Sequence, residues 1–124
     1  LNPRANMVKE FDEFIEKRLI ILKKMKFNLK KVWFDPGIGF GKTLNQNLQL
    51  MRSLSKYSHK NLQILLGSSR KSWINFIDPS NADQRIGGSL ASITHALQQN
   101  VNTFRIHDVQ ETNQMIKVLK ALNK

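Results

Sequence analysis

Cysteine is absent from the 124 residues. Its absence excludes a disulfide framework, a thiolate metal site and a cysteine nucleophile, and makes a reducing, cytoplasmic compartment the expectation. Long apolar runs are absent too. The longest aliphatic stretch, Leu19-Ile20-Ile21-Leu22, falls far short of the roughly 20 residues that span a bilayer, and nothing near the start has the pattern of a cleaved leader. Acidic residues are few, 9 against 20 Lys and Arg, giving a net charge of +11 with His neutral. A nucleic-acid partner would call for those bases to cluster and alternate with aromatics that stack on bases. Only Lys23, Lys24, Lys26, Lys30 and Lys31 cluster, with no such aromatic strand beside them. Nucleic acid is therefore not the expected partner, whereas a positive field suits a small anionic substrate. A composition of 40% hydrophobic and 23% charged residues belongs to a globular chain of a single domain.

What is present is a strong alternation of helical and strand patterns. From Asn6 to about Lys26, Val8, Phe11, Ile15, Leu19, Leu22 and Met25 recur at steps of three and four, the stripe of an amphipathic helix. Lys31-Val-Trp-Phe-Asp35 reads as a short buried strand ended by Pro36-Gly37. Thr43-x-x-Gln46 has the form of a capping box opening a helix with Leu48, Met51 and Leu54 in its core stripe. Leu62–Gly67 is a second strand. After a polar loop, a helix from about Asp83 carries Ile86, Leu90, Ile93 and Leu97, and Thr103–His107 is a third strand. Asp108 and Glu111 then open a last helix using Met115, Val118, Leu119 and Leu122. One helix followed by three βα units implies a parallel sheet with helices outside it, doubly wound or curled into a barrel. The chain starts with Leu1, and its first element is a helix with no strand before it, so it reads as a carboxy-terminal piece.

In parallel βα architectures the working residues lie at the carboxy ends of strands and in the loops that follow. Three places qualify. The first is Asp35-Pro-Gly-Ile-Gly-Phe-Gly-Lys-Thr43. It is neither a Walker loop, which would need Gly where Pro36 stands, nor a dinucleotide fingerprint, which would need Gly where Lys42 stands. Its glycines suit close approach of backbone to a flat ligand, with Phe40 held against it. Asp35 has two readings: an acceptor for the paired N–H donors of a heterocycle, or a turn cap. The second place is Gly67-Ser-Ser-Arg-Lys-Ser72, which offers cationic and hydroxyl donors directly after a buried strand. The third is Arg105 and His107, on one face of a strand whose other face carries Phe104 and Ile106. Either an anionic ligand neutralises them, or Arg105 pairs internally with Asp108 or Asp83. His59 and His95 read as helix-surface or loop residues, and no set of His, Asp and Glu has metal-ligand spacing.

Together, Asp35-Pro-Gly-Ile-Gly-Phe-Gly-Lys42, Leu66-Gly-Ser-Ser-Arg-Lys-Ser72, Arg85-Ile-Gly-Gly-Ser-Leu90 and Arg105-Ile-His-Asp-Val109 resemble, in order and spacing, the dihydropteroate synthase family. The resemblance implies an α/β fold, the carboxy-terminal half of a parallel (β/α)8 TIM barrel: its fifth helix, then strands and helices six to eight. Residues 1–124 would all belong to that one pterin-binding domain. The family condenses 7,8-dihydropterin-6-ylmethyl diphosphate with 4-aminobenzoate to 7,8-dihydropteroate and diphosphate in folate synthesis. By matching positions, Asp35 resembles the carboxylate on the pterin's amino-pyrimidinone edge, Gly67 the glycine under the flat pterin, and Lys71 the lysine between pterin and aminobenzoate. Ser72 is similar to the residue on the aminobenzoate carboxylate and Phe40 to the ring lining that side, while Arg105 and His107 resemble the diphosphate cradle. Lys71, Arg105 and His107 are the catalytic candidates. The resemblance also implies Mg²⁺, with its protein ligand in the amino-terminal half, and a homodimer in the complete enzyme. The isolated chain is then expected to be inactive without that other half. Competing readings are a folate-dependent methyltransferase barrel, against which the Ser69–Ser72 loop argues, a basic polyanion-binding module, and a catalytically inactive remnant.

Overall fold

The computed structural model describes residues 2–124. Helix α1 (Met7–Lys24) starts where the Asn6 side chain accepts from the backbone N–H groups of Val8 and Lys9, satisfying donors that the first turn leaves open. It is followed by β1 (Trp33–Phe34), α2 (Leu44–Arg52), α3 (Leu54–Ser58), β2 (Gln63–Leu66) and α4 (Ser72–Asn75). Helix α5 (Ile86–Gln98), β3 (Thr103–Phe104) and α6 (Val109–Leu122) complete the chain. The strands form one parallel sheet in the order β1-β2-β3, with Phe34 opposite Ile64 and Leu66 opposite Phe104. Three helices end in the same way. Lys26, Asn61 and Asn100 each take a left-handed backbone conformation, and each such turn is closed by paired backbone bonds such as Lys26 N–H to Lys23 O and Phe27 N–H to Leu22 O. The reversal returns the chain toward the sheet after each helix while satisfying the last carbonyls.

The core gathers Met7, Phe11 and Ile15 of α1, Leu50, Met51, Leu54 and Tyr57 of α2 and α3, and Phe34, Ile64 and Leu66 of the sheet. Ile38, Trp73 and Ile74 extend it under the loops that follow β1 and β2. No helix among the described residues is long and apolar enough to cross a membrane.

The structure departs from the periodicity in several places. The helix expected to run from Thr43 through Leu54 breaks at Ser53, whose hydroxyl donates back to Gln49 O and Leu50 O and so competes with the helical ladder. The polar loop after β2 contains the short helix α4, and the helix expected from about Asp83 begins at Ile86 after a 3₁₀ turn over Ala82–Gln84. Strand β3 is two residues long instead of five, so Arg105 and His107 lie beyond its end. Helix α5 turns Ser89, Ser92, Ile93 and Ala96 inward. Of its expected stripe only Ile93 is buried, and Ile86 is exposed. In α6 Thr112 alone is buried, while Val118 and Leu122 of the expected stripe are exposed. The α1 stripe likewise runs off the core, Met25 being exposed.

Candidate active site at the strand ends

The loop after β1 is built on three residues with positive φ, Gly37, Gly39 and Gly41, a backbone that L side chains rarely adopt. Asp35 opens it: Oδ1 accepts from Gly37 N–H at 2.8 Å, an Asx turn. Its second oxygen, Oδ2, lies 3.6 Å from Arg105 Nη2. Buried Asn47 of α2 accepts from Gly39 N–H at 2.8 Å and donates to Thr43 O at 3.1 Å. The capping box is formed, Gln46 N–H donating to Thr43 Oγ1 and Thr43 N–H to Gln46 Oε1, so α2 is anchored directly behind the loop. Lys42 Nζ closes the turn by donating to Gly37 O at 2.7 Å and Phe40 O at 3.1 Å.

Lys71 reaches this loop from the far side of the site. Its Nζ donates to Ile38 O at 2.7 Å and lies 4.2 Å from the centroid of the Phe40 ring, a cation–π distance. Gly39 permits this approach, since a Cβ there would sit 2.9 Å from Lys71 Cδ. Partial burial lowers the Lys71 pKa from its ordinary value, with Arg105 and Lys42 adding to the effect and Asp35 opposing it. Phe40 is exposed, and Ser72, the exposed first residue of α4, follows Lys71 at the helix N-cap.

Beyond β3, Arg105 N–H donates to Leu66 O at 2.9 Å, continuing the ladder past the strand. Its side chain is 63% exposed, so the guanidinium is available to a ligand. A Cβ on Gly67 would lie 3.0 Å from Arg105 Nη2, which makes the end of β2 the surface against which Arg105 rests. His107 Nδ1 is 3.0 Å from Ser69 Oγ, and the same oxygen accepts from His107 N–H.

Asp35, Phe40, Gly67, Lys71, Ser72, Arg105 and His107 thus all fall at the carboxy ends of the strands or in the loops that follow them. Asp35 fulfils the turn-cap reading with one oxygen and keeps the other toward Arg105. The internal pairing considered for Arg105 is corrected: Asp108 is bound by Arg70, through Nε at 3.1 Å and Nη2 at 2.6 Å, so Asp35 is the carboxylate facing Arg105. Arg105 and His107 were expected on one strand face, but β3 ends at Phe104 and neither lies in it. The sequence offers Ser69 and Arg70 only as part of the donor loop after the second strand, and gives Lys42, Asn47 and Arg85 no role. A fork donor in a loop and an acid directly after the expected last strand, Arg70 and Asp108, were the one pairing signal available. Among the described residues no three His, Asp or Glu side chains come together as a metal-ligand set.

The sequence profile of pterin binding enzymes matches residues 2–107. The chain belongs to that family. Among curated relatives, the Escherichia coli (strain K12) dihydropteroate synthase is 40% identical over 92 residues, covering 74% of this chain and 33% of the relative. The Haemophilus influenzae dihydropteroate synthase is 34% identical over 116 residues, covering 94% and 42%. Among solved structures, the Xanthomonas albilineans dihydropteroate synthase with 4-aminobenzoic acid superposes with a TM-score of 0.89 at 29% identity, over 96% of this chain and 44% of that one. The Yersinia pestis dihydropteroate synthase with a sulfonamide drug gives 0.90 at 31%, over 98% and 45%. The chain therefore spans less than half the length of each of these four proteins, and its parallel sheet with outer helices is part of a TIM barrel.

Proposed function

We propose that the chain is the carboxy-terminal part of a dihydropteroate synthase. It would supply one side of the site that joins 7,8-dihydropterin-6-ylmethyl diphosphate to 4-aminobenzoate, yielding 7,8-dihydropteroate and diphosphate. The observation that carries this reading is the convergence of Asp35, Lys71 and Arg105 around the ends of adjacent strands, with His107 two residues beyond Arg105. One carboxylate faces three cations, Lys42, Lys71 and Arg105. Such a field accepts an anion, and the lone carboxylate suits the N–H donors of an amino-pyrimidinone.

In this reading Asp35 and Lys71 hold the pterin ring over Gly67, while Phe40 and Ser72 receive the aminobenzoate ring and its carboxylate. The bond from the pterin methylene to oxygen breaks with its electron pair leaving on diphosphate. The aminobenzoate nitrogen forms the new bond to that carbon and releases a proton. Arg105 and His107 stabilise the charge that develops on the departing oxygens, so the contribution of this chain is orientation and electrostatics. No covalent enzyme intermediate is involved. Mg²⁺ held by the amino-terminal half, a homodimer of the complete enzyme and a cytoplasmic location belong to the same proposal.

Calorimetric titration of Arg105→Ala tests it. Diphosphate-containing pterin should lose far more affinity than pterin alone, and equal losses for both ligands would remove Arg105 from the cradle.

A further inference from the structure

We propose that Arg70 is a positioning residue. Clamped by Asp108 and Arg85, it sets the loop carrying Lys71 and Ser72 against the strand end carrying Arg105 and His107. What the two loops bind rests on the synthase reading; that they are tied together does not.

Arg70 has a left-handed backbone with φ 55°, an unfavourable conformation for a residue with a side chain. Its surroundings hold it there. Its N–H donates to buried Ser89 Oγ at 2.9 Å, and its carbonyl accepts from Arg85 Nη1 at 2.8 Å. Arg85 is itself anchored by donating from Nη2 to Ser80 O at 2.6 Å. Both backbone polar groups of Arg70 are thus engaged by α5 or the residue that precedes it. The side chain then reaches the other loop, donating from Nε and Nη2 to the two oxygens of Asp108. Asp108 follows His107 directly and stands at the N-cap of α6.

Two consequences follow for the site. The segment Arg70-Lys71-Ser72 leaves β2 in the one direction that brings Lys71 Nζ to Ile38 O and Phe40. Asp108 is also removed as a partner for Arg105, whose guanidinium stays exposed with Asp35, at 3.6 Å, as its one carboxylate partner among the described residues. The ion pair is partly exposed, with side-chain accessibilities of 35% and 12%, and such pairs contribute little to global stability. The effect of this one lies in geometry. The two-point fork also explains arginine at position 70, since a lysine cannot make both bonds at fixed orientation.

The test uses Arg70→Lys and Asp108→Asn in this chain assembled with its amino-terminal half. The Asp108 side chain makes no capping hydrogen bond to α6, so the second variant removes charge pairing without removing a cap bond. Neither residue is assigned a contact with substrate, yet kcat/KM for both substrates should fall about 10- to 100-fold, the scale of an ångström-sized misplacement. Melting temperature should hold within a few degrees, and the double variant should lose no more than the worse single one. Hydrogen exchange, which needs neither ligand nor activity, should accelerate about tenfold at the amides of residues 70–73 in Asp108→Asn and stay unchanged in α1. Unchanged exchange at residues 70–73 overturns the proposal, as do unchanged kinetic constants in an active assembly. An inactive unsubstituted assembly counts against the synthase reading alone, and exchange then decides this one.

Discussion

Alanine at position 67 probes the crowding of the site with a single carbon atom. Gly67 is buried after β2, and the three nearest atoms to an added Cβ all belong to the Arg105 guanidinium: Nη2 at 3.0 Å, Nε at 3.3 Å and Cζ at 3.6 Å. The first two distances force a displacement of a few tenths of an ångström. The displaced group is the far end of a flexible, exposed side chain, so the fold should accommodate it at a cost within about 1 kcal/mol. The site should not. A hydrogen bond to a charged group is worth roughly 1.5–3 kcal/mol, so misplacing Arg105 should weaken diphosphate binding about 10- to 100-fold. Titration calorimetry with inorganic diphosphate, beside thermal melting, reads both quantities. Gly87→Ala serves as the control, because nothing lies within 4 Å of a Cβ there; it should bind diphosphate normally and melt slightly higher, as alanine replaces glycine within a helix. Undiminished diphosphate affinity in Gly67→Ala would refute the reasoning, as would a loss of stability on the scale of a core cavity.

Thr43→Ala removes the hydroxyl that accepts from Gln46 N–H and should cost about 1 kcal/mol in chemical denaturation. Phe11→Ala empties a buried position of the core and should cost about 3–5 kcal/mol in the same assay. Burial lowers the Lys71 pKa, so the unfolded chain binds more protons above that depressed value. Stability should therefore rise with pH from there to about 10.4, and Lys71→Met should lack this rise while losing affinity for 4-aminobenzoate. The hydrogen bonds from Arg70 hold the Asp108 pKa below its ordinary value. Its stabilising contribution is thus present above about pH 3.9 and lost as pH falls toward the folded value, so acid titration of Asp108→Asn should show a smaller loss than the parent chain.

The alternation of helix and strand, the capping box at Thr43 and the seven candidate residues at the strand ends were legible in the sequence. Each rests on a local rule: periodicity, cap chemistry, or the geometry of parallel βα units. What escaped depends on partners distant in the chain. The inward face of α5 could not be read from Ile86, Leu90 and Leu97, because Ser89 and Ser92 turn inward to bond the loop after β2, Ser92 Oγ lying 2.7 Å from Ser68 Oγ. Gly88 assists that close approach, for a Cβ there would meet Ile74 at 2.7 Å. Arg105 and His107 were expected to share a strand face. Past Arg105 the chain leaves the ladder, and their environments are set separately by Asp35 and Ser69. The partner of Asp108 is 38 residues away, a separation at which pairing Arg70 or Arg105 with it could not be decided from spacing.

The central claim, that this chain supplies one side of a working synthase site, is tested most directly by product formation. 7,8-Dihydropteroate would be measured from pterin diphosphate and 4-aminobenzoate with Mg²⁺, using the purified chain alone and mixed with an amino-terminal half barrel. The account predicts product only in the mixture, abolished there by Arg105→Ala. Product from the chain alone would contradict the dependence on the other half, and no product in a folded, assembled mixture would contradict the claim itself.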